Sequence, residues 1–326
     1  MNEVVPFRPP DEVLLRARDV VRTFRAPRGG RVQALRGVSL SVRRGEVLGV
    51  VGESGCGKST LARLLVGLDA PDAGQVTFDD GDVSALQGAE RRGFHRNVQM
   101  VFQDPYGSLN PRLTVGDTLA EALRVHQLVP REAIPARVEE LLAAVNLPPE
   151  AAKRRPHEFS GGQRQRIGIA RALAVNPRVI VADEPVSALD VSVQAGVVNL
   201  FAELREKLGL TLVFITHDLR LVRHLTERVA VMYLGKIVEE GVTGQVFDHP
   251  RHPYTRALLS AVPRLVPGAK RREAPVSGEV PSPLNPPTGC AFHTRCPKAQ
   301  FPICSAEVPE NVFRDGDWPV ACHFPD

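Results

Sequence analysis

The segment Gly52-Glu53-Ser54-Gly55-Cys56-Gly57-Lys58-Ser59 fits the pattern G-x-x-x-x-G-K-[ST], and residues of these types at this spacing hold phosphate. The glycines let the backbone curl so that successive N–H groups point inward, and the start of the following helix adds about half a unit of positive charge. Lys58 then reaches the β- and γ-phosphates of a nucleotide, and the Ser59 hydroxyl offers an oxygen ligand to Mg²⁺. Cys56, inside the loop, reads as a small tolerated residue without chemistry of its own.

A second constellation closes the run Val179-Ile180-Val181-Ala182-Asp183-Glu184. Two adjacent carboxylates at the end of an apolar strand repel each other unless a cation lies between them. Beside a phosphate loop, Asp183 reads as the Mg²⁺ residue and Glu184 as the base that polarises an attacking water. His217-Asp218 follows a third apolar run, and an imidazole there can hydrogen-bond a γ-phosphate and respond to its loss. Ser160-Gly161-Gly162 reads as a serine-capped helix start, which presents N–H groups to an anion.

The C-terminal stretch holds four of the five cysteines: Cys290, Cys296, Cys304 and Cys322. Four thiolates can hold one zinc ion or a four-iron cluster, or remain reduced structural thiols. The C-x₂₋₄-C spacing usual for zinc is absent.

These residues need elements to position them. The spacing predicts strands over Glu46–Val51, Val98–Phe102, Val179–Asp183 and Thr211–Thr216, each followed by a polar turn and a helical stretch, the first helix running Lys58–Val66. Polar residues at such strand ends converge on one edge of a largely parallel sheet. Between Thr114 and Leu147 the apolar positions Leu119, Leu123, Val138, Leu141 and Leu142 recur at threes and fours, which predicts a small helical insertion. Beyond Gly241 many prolines punctuate the chain, which reads as an appended tail ordered only if something staples it.

Composition narrows the class. The 326 residues suit about two domains, and 43% hydrophobic with 24% charged residues excludes disorder as the main state. A net charge of +4, mixed along the chain, does not indicate nucleic-acid binding. No apolar run is long enough to span a bilayer, and Met1–Pro10 lacks the apolar core of a secretion signal, so a reducing cytosolic compartment is expected.

The segment Phe159-Ser160-Gly161-Gly162-Gln163-Arg164-Gln165-Arg166 resembles the signature motif of ATP-binding cassette (ABC) ATPases. Nearly the whole chain shares the resemblance. Gln103 in Val101-Phe102-Gln103-Asp104 is similar to the Q-loop, Ser187-Ala188-Leu189-Asp190 to the D-loop, His217 to the switch histidine, and Phe24 to the aromatic on which adenine stacks. The resemblance implies an α/β fold: a P-loop NTPase core with an antiparallel β subdomain and an α-helical subdomain. It implies a division into an N-terminal tail (1–11), a cassette (12–242, helical insertion about 104–177) and a C-terminal extension (243–326).

It further implies an ATP hydrolase with ATP and Mg²⁺ as ligands. Gly52, Ser54, Gly55, Cys56, Gly57, Lys58, Ser59 and Thr60 would hold nucleotide, with Ser59, Gln103 and Asp183 at the metal and Glu184, His217, Gln103 and Lys58 in catalysis. Ser160, Gly161, Gly162, Gln163 and Asp190 would act across a dimer on ATP held by a partner cassette.

Gln103-Asp104-Pro105-Tyr106-Gly107-Ser108-Leu109-Asn110-Pro111-Arg112 and the tail segment from His252-Pro253-Tyr254 to Pro263 resemble the oligopeptide, dipeptide and nickel importers, and the Ser160–Arg171 stretch resembles their second, F-type ATPase. That implies a heterodimer of cassettes, two permease subunits, an extracytoplasmic binding protein and a peripheral place on the cytoplasmic face of the inner membrane. Dipeptides, longer peptides, glutathione-like peptides and nickel all remain open as cargo. A non-transport cassette ATPase is the rival function. Some members of this importer type are known with an iron–sulfur cluster in the C-terminal region, and the resemblance therefore favours [4Fe–4S] at the four cysteines over zinc or plain thiols.

Overall fold

The structure is a computed structural model that describes residues 12–26, 29–104, 107–261, 278–313 and 318–326. The expected N-terminal tail over residues 1–11 lies outside them, as do Pro105, Tyr106, Val262 and Pro263 of the importer segments. By its contacts the chain forms two units of separated stretches: the first takes residues up to 16, 41–47 and 77–213, the second 17–40, 48–76 and 214–326.

In the first unit the strands Val98–Val101 and Val179–Asp183 run parallel, Val98 opposite Val179 and Val101 opposite Ala182. All of Val179–Asp183 is buried, as an apolar strand covered on both faces must be. The long crossover between them carries helices Val115–Val125, Ile134–Ala144 and Gly161–Leu173. Leu119, Leu123, Val138, Leu141 and Leu142 are buried there, so the expected helical insertion is present. Thr114 starts it, its hydroxyl accepting from the Asp117 N–H. A hairpin pairs Thr77 with Asp82 and Phe78 with Gly81. Its two loop residues, Asp79 and Asp80, both have positive φ, the backbone that a two-residue hairpin requires.

In the second unit the strand Val47–Val51 runs parallel to Arg228–Tyr233, Leu48 opposite Arg228 and Val51 opposite Val231. The chain turns back antiparallel as Lys236–Val242. Three long strands, in the order Arg31–Arg43, Val13–Arg25 and Ala73–Phe78, share a second sheet. Three expected strands are one residue shorter than the sequence suggests, the first losing Glu46 at its start and the others Phe102 and Thr216 at their ends. At Glu46 the cause is local: its carboxylate accepts from the Arg43 N–H at 2.5 Å and closes the turn before the strand.

The C-terminal stretch is not an appendage. Pro319–Val320 pairs antiparallel with Lys236–Val242, Val320 opposite Glu239, and Val312–Phe313 pairs with Pro319–Val320 in turn. Trp318, Val320, Cys290 and Phe292 pack in one core with Tyr233, Val246 and Tyr254. Fully buried Glu239 ties these parts together. Its carboxylate accepts from the Arg251 N–H at 2.8 Å, the His252 N–H at 3.0 Å and Trp318 Nε1 at 2.9 Å. No helix of the described residues is long and apolar enough to cross a membrane.

Candidate active site

The phosphate-loop residues lie in the second unit, between the buried strand Val47–Val51 and the helix Lys58–Leu65. Gly57 has φ 107°, and a Cβ there would lie 2.4 Å from the Ala34 carbonyl oxygen, so no other residue fits. Lys58 is buried, and its ammonium donates to Gly52 O at 2.9 Å and Glu53 O at 3.1 Å. Ser54, Gly55 and Ser59 are exposed and Thr60 is half-buried. Cys56 is buried, and that burial pushes its thiol up, which suits an inert core residue.

Two residues that sequence reasoning did not connect to this loop hold it. The Glu53 N–H donates to the Tyr254 hydroxyl at 3.0 Å. The Glu53 carboxylate takes a bidentate pair from Arg295, Nη1 to Oε2 at 2.9 Å and Nη2 to Oε1 at 3.1 Å. Tyr254 belongs to the tail motif His252-Pro253-Tyr254, so a signal existed without an address. His252 caps the helix Pro253–Ser260 by accepting from the Tyr254 N–H at 3.0 Å.

Also in the second unit, Phe24 stands on Val13–Arg25, 38% exposed, with the Arg22 guanidinium 5.0 Å from its ring centre. It is therefore not a core residue. His217 is exposed at the end of Thr211–Ile215. Its neighbour Asp218 caps the helix Leu219–Leu225, and a side-chain bond from Arg220 holds that carboxyl below its usual range.

The first unit holds Gln103, Asp183 and Glu184 of the expected site residues. Asp183 is buried at the strand end. Glu184 follows with φ 44°, a left-handed backbone that a non-glycine residue holds at some cost, of the kind that clusters at active sites. Gln103 Nε2 donates to Glu184 Oε2 at 3.1 Å. The turn after Glu184 is braced by Ser187, whose Oγ donates to Glu184 O at 3.1 Å, and by Gln194 Nε2, which donates to Val186 O and Leu189 O at 3.1 and 2.9 Å. Asp190 is exposed at the N-cap position of helix Val191–Leu208.

The signature residues open the helix Gly161–Leu173 through a reciprocal cap. The Gln163 N–H donates to Ser160 Oγ at 3.3 Å, and the Ser160 N–H donates to Gln163 Oε1 at 3.0 Å. A Cβ on Gly162 would lie 2.2 Å from Val193 Cγ1, so this helix start packs directly on Val191–Leu208. The Ser160 and Gln163 amides are thus taken up by the cap itself, with Ser160 exposed and Gly162 buried at the helix start.

Cys290, Cys296, Cys304 and Cys322 line one cavity together with His252 and Phe292. All are free thiols, and burial pushes Cys290 and Cys296 up and Cys322 to about 11. Among the described residues, no group of three or more His, Cys, Asp or Glu side chains is disposed to hold a metal ion.

Two regions match known families: residues 35–187 the ABC transporter family, and residues 238–304 the oligopeptide/dipeptide transporter C-terminal region. The oligopeptide transport ATP-binding protein AppF of Bacillus subtilis (strain 168) is 51% identical over 322 residues, 96% of this chain and 98% of that protein. The di/tripeptide transport ATP-binding protein DppF of Pseudomonas aeruginosa (strain UCBPP-PA14) is 48% identical over 317 residues, 96% of this chain and 98% of that one. Among solved structures, the dimeric ATP-binding cassette MJ0796 in a post-hydrolysis state with ADP and Pi superposes with TM-score 0.63 at 31% identity, covering 71% of this chain and 99% of that chain. None of these descriptions mentions an iron–sulfur cluster.

Proposed function

The chain belongs to the ABC transporter ATP-binding proteins, and from that premise we propose that it is the ATP-hydrolysing subunit of an importer for oligopeptides or dipeptides. One observation carries the reading: a full set of nucleotide and hydrolysis residues shares the chain with a C-terminal region of the oligopeptide/dipeptide transporter type at 238–304. We assign residues 12–242 to the cassette and 243–326 to that extension. Cargo selection belongs to other subunits, and the same motor would serve nickel or glutathione-like peptides.

In this reading Lys58 and the amides of Gly52 to Thr60 grip the phosphates, and adenine stacks on Phe24. Ser59, Asp183 and Gln103 are the residues that would hold Mg²⁺, which would supply positive charge to offset that building on the phosphate. Glu184 takes the proton from the attacking water, with Gln103 orienting its carboxylate. His217 bonds the γ-phosphate and reports its departure. Ser160, Gly161, Gly162, Gln163 and Asp190 close over the nucleotide of a second cassette, in a heterodimer. Catalysis is then positioning and electrostatics, and ATP drives transport because it binds the closed pair better than the open one. Two permease subunits and an extracytoplasmic binding protein complete the assembly, which puts this chain at the cytoplasmic face of the membrane.

For the C-terminal thiols we favour a four-iron cluster held by Cys290, Cys296, Cys304 and Cys322. The support is their convergence on one cavity. Iron and sulfide analysis of anaerobically purified chain decides between cluster, zinc and plain thiols.

The function is tested by vanadate-sensitive ATP hydrolysis of the chain with its cassette partner and permeases in lipid. Glu184→Gln should abolish hydrolysis in the assembly while MgATP still binds. Equal hydrolysis by the isolated chain, indifferent to permeases, refutes the import reading.

A further inference from the structure

An acid in a loop that must attract a triphosphate is a conflict. Glu53 follows Gly52 directly, and its carbonyl accepts from the Lys58 ammonium at 3.1 Å. A free carboxylate there would repel phosphate and draw on the same lysine. Yet Glu53 is not free: Arg295 meets both of its oxygens through two parallel N–H···O bonds, the strongest form of this pair.

The arginine is held rigidly for the purpose. Its side chain is 8% exposed against 30% for Glu53. The guanidinium lies 5.8 Å from the Tyr233 ring centre and 5.9 Å from that of Phe292. Nη1 also reaches the Tyr233 hydroxyl at 3.4 Å. Tyr233 and Tyr254 pack with ring centroids 4.6 Å apart, and the Tyr254 hydroxyl takes the Glu53 N–H. The same residue is thus gripped at its backbone and at its charge, from one aromatic cluster.

We propose that Arg295 is a positioning residue of the phosphate loop, cancelling and turning aside the Glu53 charge so that the loop accepts a triphosphate, with Tyr254 fixing the backbone beside it. The inference rests on the nucleotide-binding reading of Lys58. It gives the C-terminal stretch a direct part in ATP affinity, through residues outside the cassette motifs.

The test is equilibrium binding of MgATP to the full-length chain, read with a fluorescent nucleotide and by calorimetry. Arg295→Gln should weaken binding about tenfold, the equivalent of about 1.4 kcal/mol. In a Glu53→Gln background the same substitution should cost less than about twofold, because no charge is left to cancel. Arg295→Lys, which keeps charge but loses the fork, should fall between. In the reconstituted assembly the loss should appear in KM, with kcat within about twofold of native. Thermal melting of each variant separates lost affinity from lost fold. Equal weakening by Arg295→Gln in both backgrounds overturns the charge argument, and unchanged affinity overturns the role altogether. If native chain binds no MgATP, the nucleotide reading itself falls. If native binds, Lys58→Ala does not and Arg295→Gln matches native, only this inference falls.

Discussion

Truncating Glu239 to alanine should loosen the C-terminal stretch more than any other single change of a polar residue there. The carboxylate is fully buried and accepts three hydrogen bonds, from the Arg251 and Glu239-facing His252 backbone amides and from Trp318 Nε1. Without it three buried donors lose their acceptor, and each costs about 1–3 kcal/mol. Because the three share one residue the losses do not add, and about 4 kcal/mol is the working figure. Glu239→Gln keeps the oxygen that serves Arg251 and Trp318 but turns an NH₂ group on the His252 N–H, so about half that loss is expected. At about 2–4 °C per kcal/mol for a unit of this size, melting should fall by roughly 10 °C for alanine and roughly 5 °C for glutamine. The assay has a built-in probe, since Trp318 is the single tryptophan of the chain: its emission should shift to the red as the indole loses its buried partner. A Glu239→Ala protein that melts within about 2 °C of native, with tryptophan emission unmoved, would refute the argument.

Three further outcomes are expected. Burial holds His252 down at about 3, below an unfolded value of about 6.5. The unfolded chain then binds the extra proton between those values. Stability is full above pH 6.5 and falls by about 1.4 kcal/mol per unit below it; His252→Asn should flatten the melting profile between pH 7 and 5, and a flat native profile contradicts the assignment. Gly57→Ala should cost at least about tenfold in MgATP affinity because strained backbone and overpacking combine, whereas Gly55→Ala, whose Cβ would meet nothing within 4 Å, should cost less; the reverse ranking by calorimetry sinks the account of the loop. Since burial raises the Cys56 thiol, its alkylation by iodoacetamide at pH 8, followed by mass spectrometry, should lag far behind that of the urea-unfolded chain; equal rates would mean the loop opens.

The candidate site was legible because its motifs are local. Gly52 to Ser59, Asp183-Glu184 and Ser160 to Gln163 are contiguous runs whose residue types state their own geometry, and the structure gives the first a strand and helix, the second a strand end, the third a capping box. The helical insertion was legible for the same reason, through spacing at threes and fours. The C-terminal stretch was not. A strand of two residues, Pro319–Val320, has no periodicity to read, and prolines there signal a loop. Its order comes from partners far off in sequence, Trp318 reaching Glu239 across 79 residues. The HPY motif at His252 could be seen, yet nothing in its residue types says that Tyr254 bonds the loop at Glu53. The exposed side of Phe24 was equally invisible, since an aromatic near a strand end reads as well for core as for surface.

The braces of the phosphate loop are separated from it by 201 and 242 residues of chain. At synthesis rates of about 5–20 residues per second, the ribosome delivers Arg295 roughly 10–50 seconds after Glu53. A nascent chain in that interval displays the lysine and glycines of the site with the Glu53 carboxylate still uncompensated. On the Arg295 inference, full affinity for ATP is therefore reached only late in translation, and a message broken before codon 295 would yield a polypeptide with all its cassette motifs and a weakened hold on nucleotide.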